Sequence, residues 1–366
     1  MRARGVCACL TDVSMNPDWM DFLRQRGART AGGDAACVLD FGDAGRELAA
    51  LRDAALVCDL GQFALLGFAG ADAQTFLQGQ LTCDVREATR AAFRPGALCT
   101  PKGRALATFR LWQDADGYTM QLPSSLYEPI RKRLSMYVLR SKVTIASRSD
   151  AWARFGLAGP QAAAALRTAL GIAAADALPS ERGIVEHQGI SIQGLCGDRY
   201  LLLVRPQAAA QTWTRLAQVC VEGGDTAWRA ATIAAGEAVL TAATQDQFVP
   251  QMLNLDLLGG IGFQKGCYTG QEIVARTQYL GRLKQRLFHA RMDTDTPPCA
   301  GDALYSADFD GQATGTVIDA APDPDGGTRL LAVVRTDSAA TQTLHCGSID
   351  GPPLSAVTGP AAAAAT

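Results

Sequence analysis

At 366 residues and 38.5 kDa the chain exceeds what one hydrophobic core usually serves, so two or three domains are expected. Hydrophobic residues at 48% and charged residues at 19% exclude a disordered chain, a collagen or a solvated coiled coil. A formal charge of -2 offers no overall field for gripping a phosphate backbone, so nucleic acid would need a local patch.

Taken from the start, Arg2 and Arg4 precede no apolar stretch of signal-peptide length, and Met15 stands as a second candidate start. Asn16 is placed to cap a helix with Pro17 at its first position, Asp18 and Asp21 in its first turn and Gly27 as its stop. Residues 30 to 50 are rich in Gly, Ala and Asp and read as a connection. From Gln62 the pattern becomes regular. Phe63 to Phe68 reads as a strand, Asp72 opens a helix ending at Gly79, and Ala105 to Trp112 alternates as a strand. Asp116-Gly117 supplies a hairpin turn into Tyr118 to Leu122; Ser125 and Glu128 have capping-box spacing, and Lys142 to Ala146 closes the unit.

A similar order recurs. Trp152 to Ala158 reads as a strand, Pro160 opens a helix ending at Gly171, and Ile190 to Gln193 and Tyr200 to Val204 form a strand pair. Pro206 starts another helix that stops near Gly223, and Ala230 to Ile233 reads as a strand. Two successive strand-helix-strands-helix-strand units indicate two ferredoxin-like α+β lobes. After Leu287 helix signals vanish, and short alternating segments such as Thr314 to Ile318 and Leu330 to Val334 favour a small C-terminal β-barrel. The expected divisions are 1–50 (helix and connection), 51–150 and 151–286 (the lobes), and 287–366 (barrel and tail). No apolar run of membrane-spanning length is free of charge, since Arg167 and Asp176 interrupt the Ala-rich stretch after Gly159.

Eleven cysteines without a CxxC pair, odd in number, point to a reducing cytoplasm in which most are buried hydrophobes. Three separated histidines, His187, His289 and His345, give neither a metal cluster nor a Ser-His-Asp triad. One stretch departs from the background. In Lys265-Gly-Cys-Tyr-Thr-Gly-Gln-Glu272, Thr269 and Glu272 have capping-box spacing, so a helix is expected from Gly270 with Cys267 just outside its N-terminus. The helix's partial positive charge and the Lys265 ammonium both favour a thiolate there. Gly266 and Gly270 would let backbone approach a ligand closely. Downstream, Arg276, Arg282, Lys284 and Arg286, with Tyr279 among them, form a basic run suited to an anionic ligand such as a glutamate tail or phosphate.

That run, together with Gln78-Gly-Gln-Leu-Thr-Cys-Asp84, Lys102-Gly-Arg104 and Ser141-Lys-Val-Thr-Ile145, resembles the YgfZ family, part of the superfamily of the glycine-cleavage aminomethyltransferase. The resemblance covers residues 55 to 345 and implies three domains around a central channel that holds tetrahydrofolate. It implies folate and iron-sulfur enzymes or assembly proteins as partners, including enzymes that modify tRNA, with neither DNA nor membrane among them. Cys267 and Lys265 are the expected reactive pair. Phe63 and Trp228 stand where relatives place folate-contacting aromatics, and Asp84, Lys102, Arg104, Tyr268, Gln271, Glu272 and Arg276 complete the expected binding set. Where the superfamily often carries Glu in an Ile-Glu-Ala-Gly stretch, this chain reads Ile233-Ala-Ala-Gly236, with Glu237 following. The acid pair of true aminomethyltransferases is absent after the basic Lys102-Gly-Arg104 turn, so glycine cleavage is not expected. The alternative is a folate-dependent aminomethyltransferase or demethylase acting on a small amine, with Asp84 or Glu237 as its acid.

Overall fold

The computed structural model describes residues 17–31, 37–279, 281 and 283–360. Asn16, Met15, Cys7, Cys9, Arg282 and the tail after Pro360 lie outside the described residues. The chain is a mixed α+β protein that divides into two compact units. The first comprises Met1–Gly70, Glu87–Phe93 and Trp112–Ala231; the second comprises Ala71–Arg86, Arg94–Leu111 and Thr232–Thr366.

In the first unit six strands lie in the order Ile184–His187, Ile190–Leu195, Arg199–Val204, Ala153–Ala158, Leu56–Asp59 and Val221–Gly223. All pairs are antiparallel except the last, where Val221 pairs with Leu56 in parallel. Strand alternation divides the side chains between two buried faces. Phe155, Leu157, Leu202 and Val204 join Trp19, Leu23, Leu166 and Trp213 of the helices Pro17–Gln25, Ala162–Leu170 and Pro206–Ala217. Leu56, Cys58, Leu201 and Leu203 face the other way, onto Trp228. Gly171 ends Ala162–Leu170 with a φ of 67°, a left-handed cap that glycine adopts at little cost. A second group of strands centres on Phe63–Ala69, which pairs with Gly117–Pro123 on one side and Thr144–Ser147 on the other.

Three local expectations change. Residues 30 to 50 are not a bare connection: Arg29–Ala31 pairs with Cys37–Asp40, and Asp43 caps helix Ala44–Asp53 by accepting from the Arg46 amide. Glu47 of that helix is 2% exposed and accepts from the nearby Phe41 amide and the distant Gly224 amide, bonds that composition does not reveal. Ala230 to Ile233 is not a strand but part of helix Asp225–Ala234, because Ala227, Trp228 and Ala231 at helical spacing all enter the core. The Ser125–Glu128 capping box does not form: helix Ser124–Met136 has Pro123 at its N-cap, and Glu128 pairs with Arg131 at 2.9 Å.

In the second unit Arg94–Cys99 pairs antiparallel with the first part of Ala105–Asp114. Its C-terminal portion is a six-stranded antiparallel sheet in the order His345–Cys346, Ala303–Tyr305, Ala313–Pro322, Thr328–Arg335, Gln285–Met292, Leu354–Thr358. A bridge between His345 and Pro353 joins the two edges, so the sheet closes on itself as the expected small barrel. Leu304, Val317, Leu330, Val334 and Leu354 fill it. Helix Thr336–Thr341 interrupts a stretch expected to be all strand.

Candidate functional site

Three of the four signature segments come together inside the second unit, whereas Ser141–Ile145 belongs to the first. The Gln78–Asp84 loop is built on Thr82, whose hydroxyl donates to the Gly260 carbonyl (2.7 Å) and accepts from the Ala97 amide (2.8 Å). The Thr82 carbonyl in turn accepts from Gly262 (2.8 Å), and the Gly79 carbonyl from Thr269 (3.3 Å). Lys265 completes the junction: its Nζ, buried at 8% exposure, donates to the Leu81 and Cys83 carbonyls, both at 2.6 Å, and lies 5.0 Å from the centre of the Tyr268 ring. Burial pulls the Lys265 ammonium down to about 8 despite the nearby Cys83 and Asp84. Lys265 therefore ties the two segments together. No hydrogen bond joins it to Cys267 among the described residues.

The Lys102–Arg104 turn packs against the same segment through a pair of glycines. Gly270 has a φ of +87°, and a Cβ there would lie 2.5 Å from the Thr100 carbonyl oxygen. Gly103 has a φ of +69°, and a Cβ there would meet Ile273 at 2.8 Å. Gly270 thus serves close backbone packing rather than a ligand's approach. At Gly266, by contrast, a Cβ would meet nothing within 4 Å, so the backbone beside Cys267 is open.

Cys267 is exposed, and the helix after it runs Gln271–Tyr279, one residue later than expected. The Thr269–Glu272 capping box is absent; the Gln271 side chain instead accepts from the Tyr268 amide (3.3 Å), while Glu272 is exposed. Tyr268 is buried, which raises its phenol. Cys58, Cys83, Cys99 and Cys220 are buried, and desolvation pushes the last three up to about 12. Cys196 and Cys299 share Cys267's exposure, but neither lies in a signature segment.

The remaining expected residues divide by what already holds them. Arg86 hydrogen-bonds Asp84 and keeps its carboxylate well below the usual range, with Gln78 and the Arg86 amide adding donors. Arg104 is spent on the Gln247 carbonyl (2.7 Å) and Arg286 on Asp256 (2.8 Å). Lys102, Arg276 and Lys284 are exposed and make no ion pair among the described residues. Tyr279 is 68% exposed and meets Phe263 edge-on. Sequence reasoning missed Thr82 and the Arg110–Glu237 pair, in which a guanidinium 8% exposed meets the carboxylate that follows the Ala234 substitution. An Arg inside an apolar strand is the signal that marks the latter.

Two expected residues belong to the first unit. Phe63 is half-buried against the core, and neither polar atom of the adjacent Gln62 side-chain amide, both buried, has a partner among the described residues. Trp228 is 1% exposed, with its ring over Gly156 and the Arg199 guanidinium 5.5 Å from its centre, so it anchors the core.

Residues 21–217 match the family model described as GCVT N-terminal domain. The chain is 34% identical over 282 residues, 76% of its length and 85% of theirs, to the tRNA-modifying protein YgfZ of Escherichia coli O127:H6 (strain E2348/69 / EPEC) and to that of Shigella boydii serotype 4 (strain Sb227). Among solved structures, the glycine cleavage system aminomethyltransferase T from Bartonella henselae superposes with a TM-score of 0.77 at 16% identity, over 94% of this chain and 96% of that one, which shows a shared fold. With its signature segments gathered round Thr82 and Lys265, and with these relatives, the chain belongs to the YgfZ family of GCVT-domain proteins.

Proposed function

We propose that this protein binds a folate and supports the modification of tRNA by iron-sulfur enzymes, acting through the thiol of Cys267 in the cytoplasm. The observation that carries the reading is the exposed Cys267 beside the open Gly266, two residues from the Lys265 that ties the Gln78–Asp84 loop to this segment. A thiol so placed can accept or pass on sulfane sulfur, or ligate iron transiently, provided it reaches the thiolate.

Folate offers a flat pterin with a donor-acceptor edge and an anionic glutamate tail, and a fit can be tested within each unit. In the first, the half-buried ring of Phe63 supplies a stacking surface, and the unpaired amide of Gln62 can both donate and accept. In the second, Lys102 and Arg276, exposed and without an ion pair among the described residues, suit an anion. The residues present therefore fit the ligand class. When bound, a tetrahydrofolate supplies one-carbon chemistry at a pterin nitrogen and the neighbouring aminobenzoyl nitrogen. Against an aminomethyltransferase reaction, both substitute carboxylates are engaged, Asp84 with Arg86 and Glu237 with Arg110.

Titration with tetrahydrofolate, followed by protein fluorescence or calorimetry, tests the ligand. Saturable binding that weakens about tenfold or more in Phe63→Ala, through loss of stacking, supports the reading; a titration without saturation contradicts it.

A further inference from the structure

Of the four signature segments, Ser141–Ile145 is the one that neither the thiol nor the folate reading uses, and it lies in a stretch of unusual charge. From Pro129 to Arg148 the chain carries Arg131, Lys132, Arg133, Arg140, Lys142 and Arg148 and no acid, against a net charge of -2 for the whole molecule. Arg131 is committed to Glu128 (2.9 Å), on which Lys132 also acts, and Arg148 is committed to Asp114. Arg133 and Arg140 make no ion pair among the described residues. The apolar residues of the same stretch face water. Among the described residues eight large hydrophobic side chains are exposed, and three of them, Met136, Tyr137 and Leu139, fall within four positions at the end of helix Ser124–Met136. Leu139 is 86% exposed at a φ of +44°, left-handed backbone that is costly for a leucine, so the fold holds this side chain out at a turn. The Arg133 guanidinium lies 5.9 Å from the centre of the Tyr137 ring, which interleaves cation and aromatic.

Three apolar side chains at one turn are too few for a stable protein interface, which takes about 800 Å² and roughly 20–30 residues from each partner. A nucleic acid would use the cations and the ring but not Met136 and Leu139. A bilayer surface uses all of them: apolar side chains enter beneath the headgroups, cations stay at anionic phosphates, and Tyr and Arg lie at the boundary. We propose that the turn after helix Ser124–Met136 docks this protein reversibly on an anionic lipid bilayer, with Met136 and Leu139 inserted and Lys132, Arg133 and Arg140 at the phosphates. The contact is peripheral, since no helix among the described residues is long and apolar enough to cross a membrane. It is independent of Cys267 and of the folate reading, because it uses none of their residues.

Co-sedimentation of the full chain tests it, with vesicles of phosphatidylcholine alone and of phosphatidylcholine and phosphatidylglycerol in equal parts. Saturable binding to the mixed vesicles is expected, at least about tenfold weaker on the neutral ones and weakened by salt. Leu139→Asn keeps a residue suited to the left-handed region and should weaken binding about tenfold through loss of the inserted side chain. Arg140→Gln should weaken it about fivefold, the share of one cation. Both positions are exposed, so both variants are expected to fold. The proposal is overturned by the absence of sedimentation with mixed vesicles, by equal binding to the two vesicle types, or by Leu139→Asn binding like wild type. Binding of bulk tRNA that Arg140→Gln weakens and Leu139→Asn does not, or a dimer dissolved by Leu139→Asn, would assign the turn to another occupant and equally overturn it.

Discussion

Lys265 and Cys267 are two residues apart and do different work. The sequence reads the ammonium as the thiol's partner, whereas in the structure that ammonium is committed to two carbonyls of the Gln78–Asp84 loop. Its buried position has a titration consequence. The folded chain releases the Lys265 proton at about 8, the unfolded chain only near ~10.4. Between those values the unfolded state holds more protons, so stability rises with pH across this window; below it both states are charged and the burial cost is constant. Chemical denaturation of wild type from pH 7 to 10 should show this rise, and Lys265→Met should remove it. An equal slope in both proteins would contradict the assignment. Cysteine exposure predicts a second pattern: in the native protein, Cys196, Cys267 and Cys299 should alkylate readily, while Cys58, Cys83, Cys99 and Cys220 resist until unfolding. Mass mapping of the alkylated peptides reads it, and rapid native labelling of Cys83 would show that the loop junction opens.

At the scale of elements, the Gly103–Gly270 contact is what holds the basic turn against the signature helix. Gly270→Ala adds a methyl 2.5 Å from the Thr100 oxygen at a φ of +87°, a strained conformation that costs about 1–3 kcal/mol. A matching drop in the denaturation midpoint is expected, whereas Gly266→Ala, which meets nothing, should be nearly silent. Equal effects would place the contact elsewhere. The elements that were legible in the sequence are those whose punctuation is local. Pro206 opens its helix, Gly171 closes another in the left-handed region, and Asp116-Gly117 turns a hairpin. What was not legible depends on partners far away. Ala230 to Ile233 is too short an apolar run to separate strand from helix, and only Trp228 packing over Gly156 settles it. Strand Val221–Gly223 exists because Leu56–Asp59, some 165 residues earlier, offers a parallel edge. At the site, the motifs singled out the segments to look at, but that three of them meet round Thr82 and Lys265, and the roles of Gly270, Arg104 and Asp84, emerged only from what they touch.

At the scale of the whole molecule, the chain leaves and re-enters each unit: Ala71–Arg86 and Arg94–Leu111 belong with residues after Thr232, although the first unit surrounds them in sequence. Neither unit is a contiguous piece. A chain ending at Ala231 would retain Ala71–Arg86 and the strands Arg94–Cys99 and Ala105–Asp114 but lose everything of their unit after Ala231, including the Phe248 carbonyl that accepts from Ala105 and the Ala238 carbonyl that accepts from Thr108. Such a truncation should aggregate or fail to show a cooperative transition, because unpaired apolar strands would be left exposed; a monomeric fragment melting cooperatively would contradict the interlaced division. Within the second unit Lys265 locks together segments 182 and 184 residues apart, through the Cys83 and Leu81 carbonyls.

The central claim is that Cys267 carries the function without carrying the fold. Its most direct test replaces Cys267 with Ala in cells that depend on this protein and measures modified nucleosides in tRNA by mass spectrometry, alongside the variant's melting temperature. An unchanged melt is expected, because the side chain is exposed, together with a loss of the modifications made by iron-sulfur enzymes. Wild-type levels of those nucleosides with Cys267→Ala would contradict it.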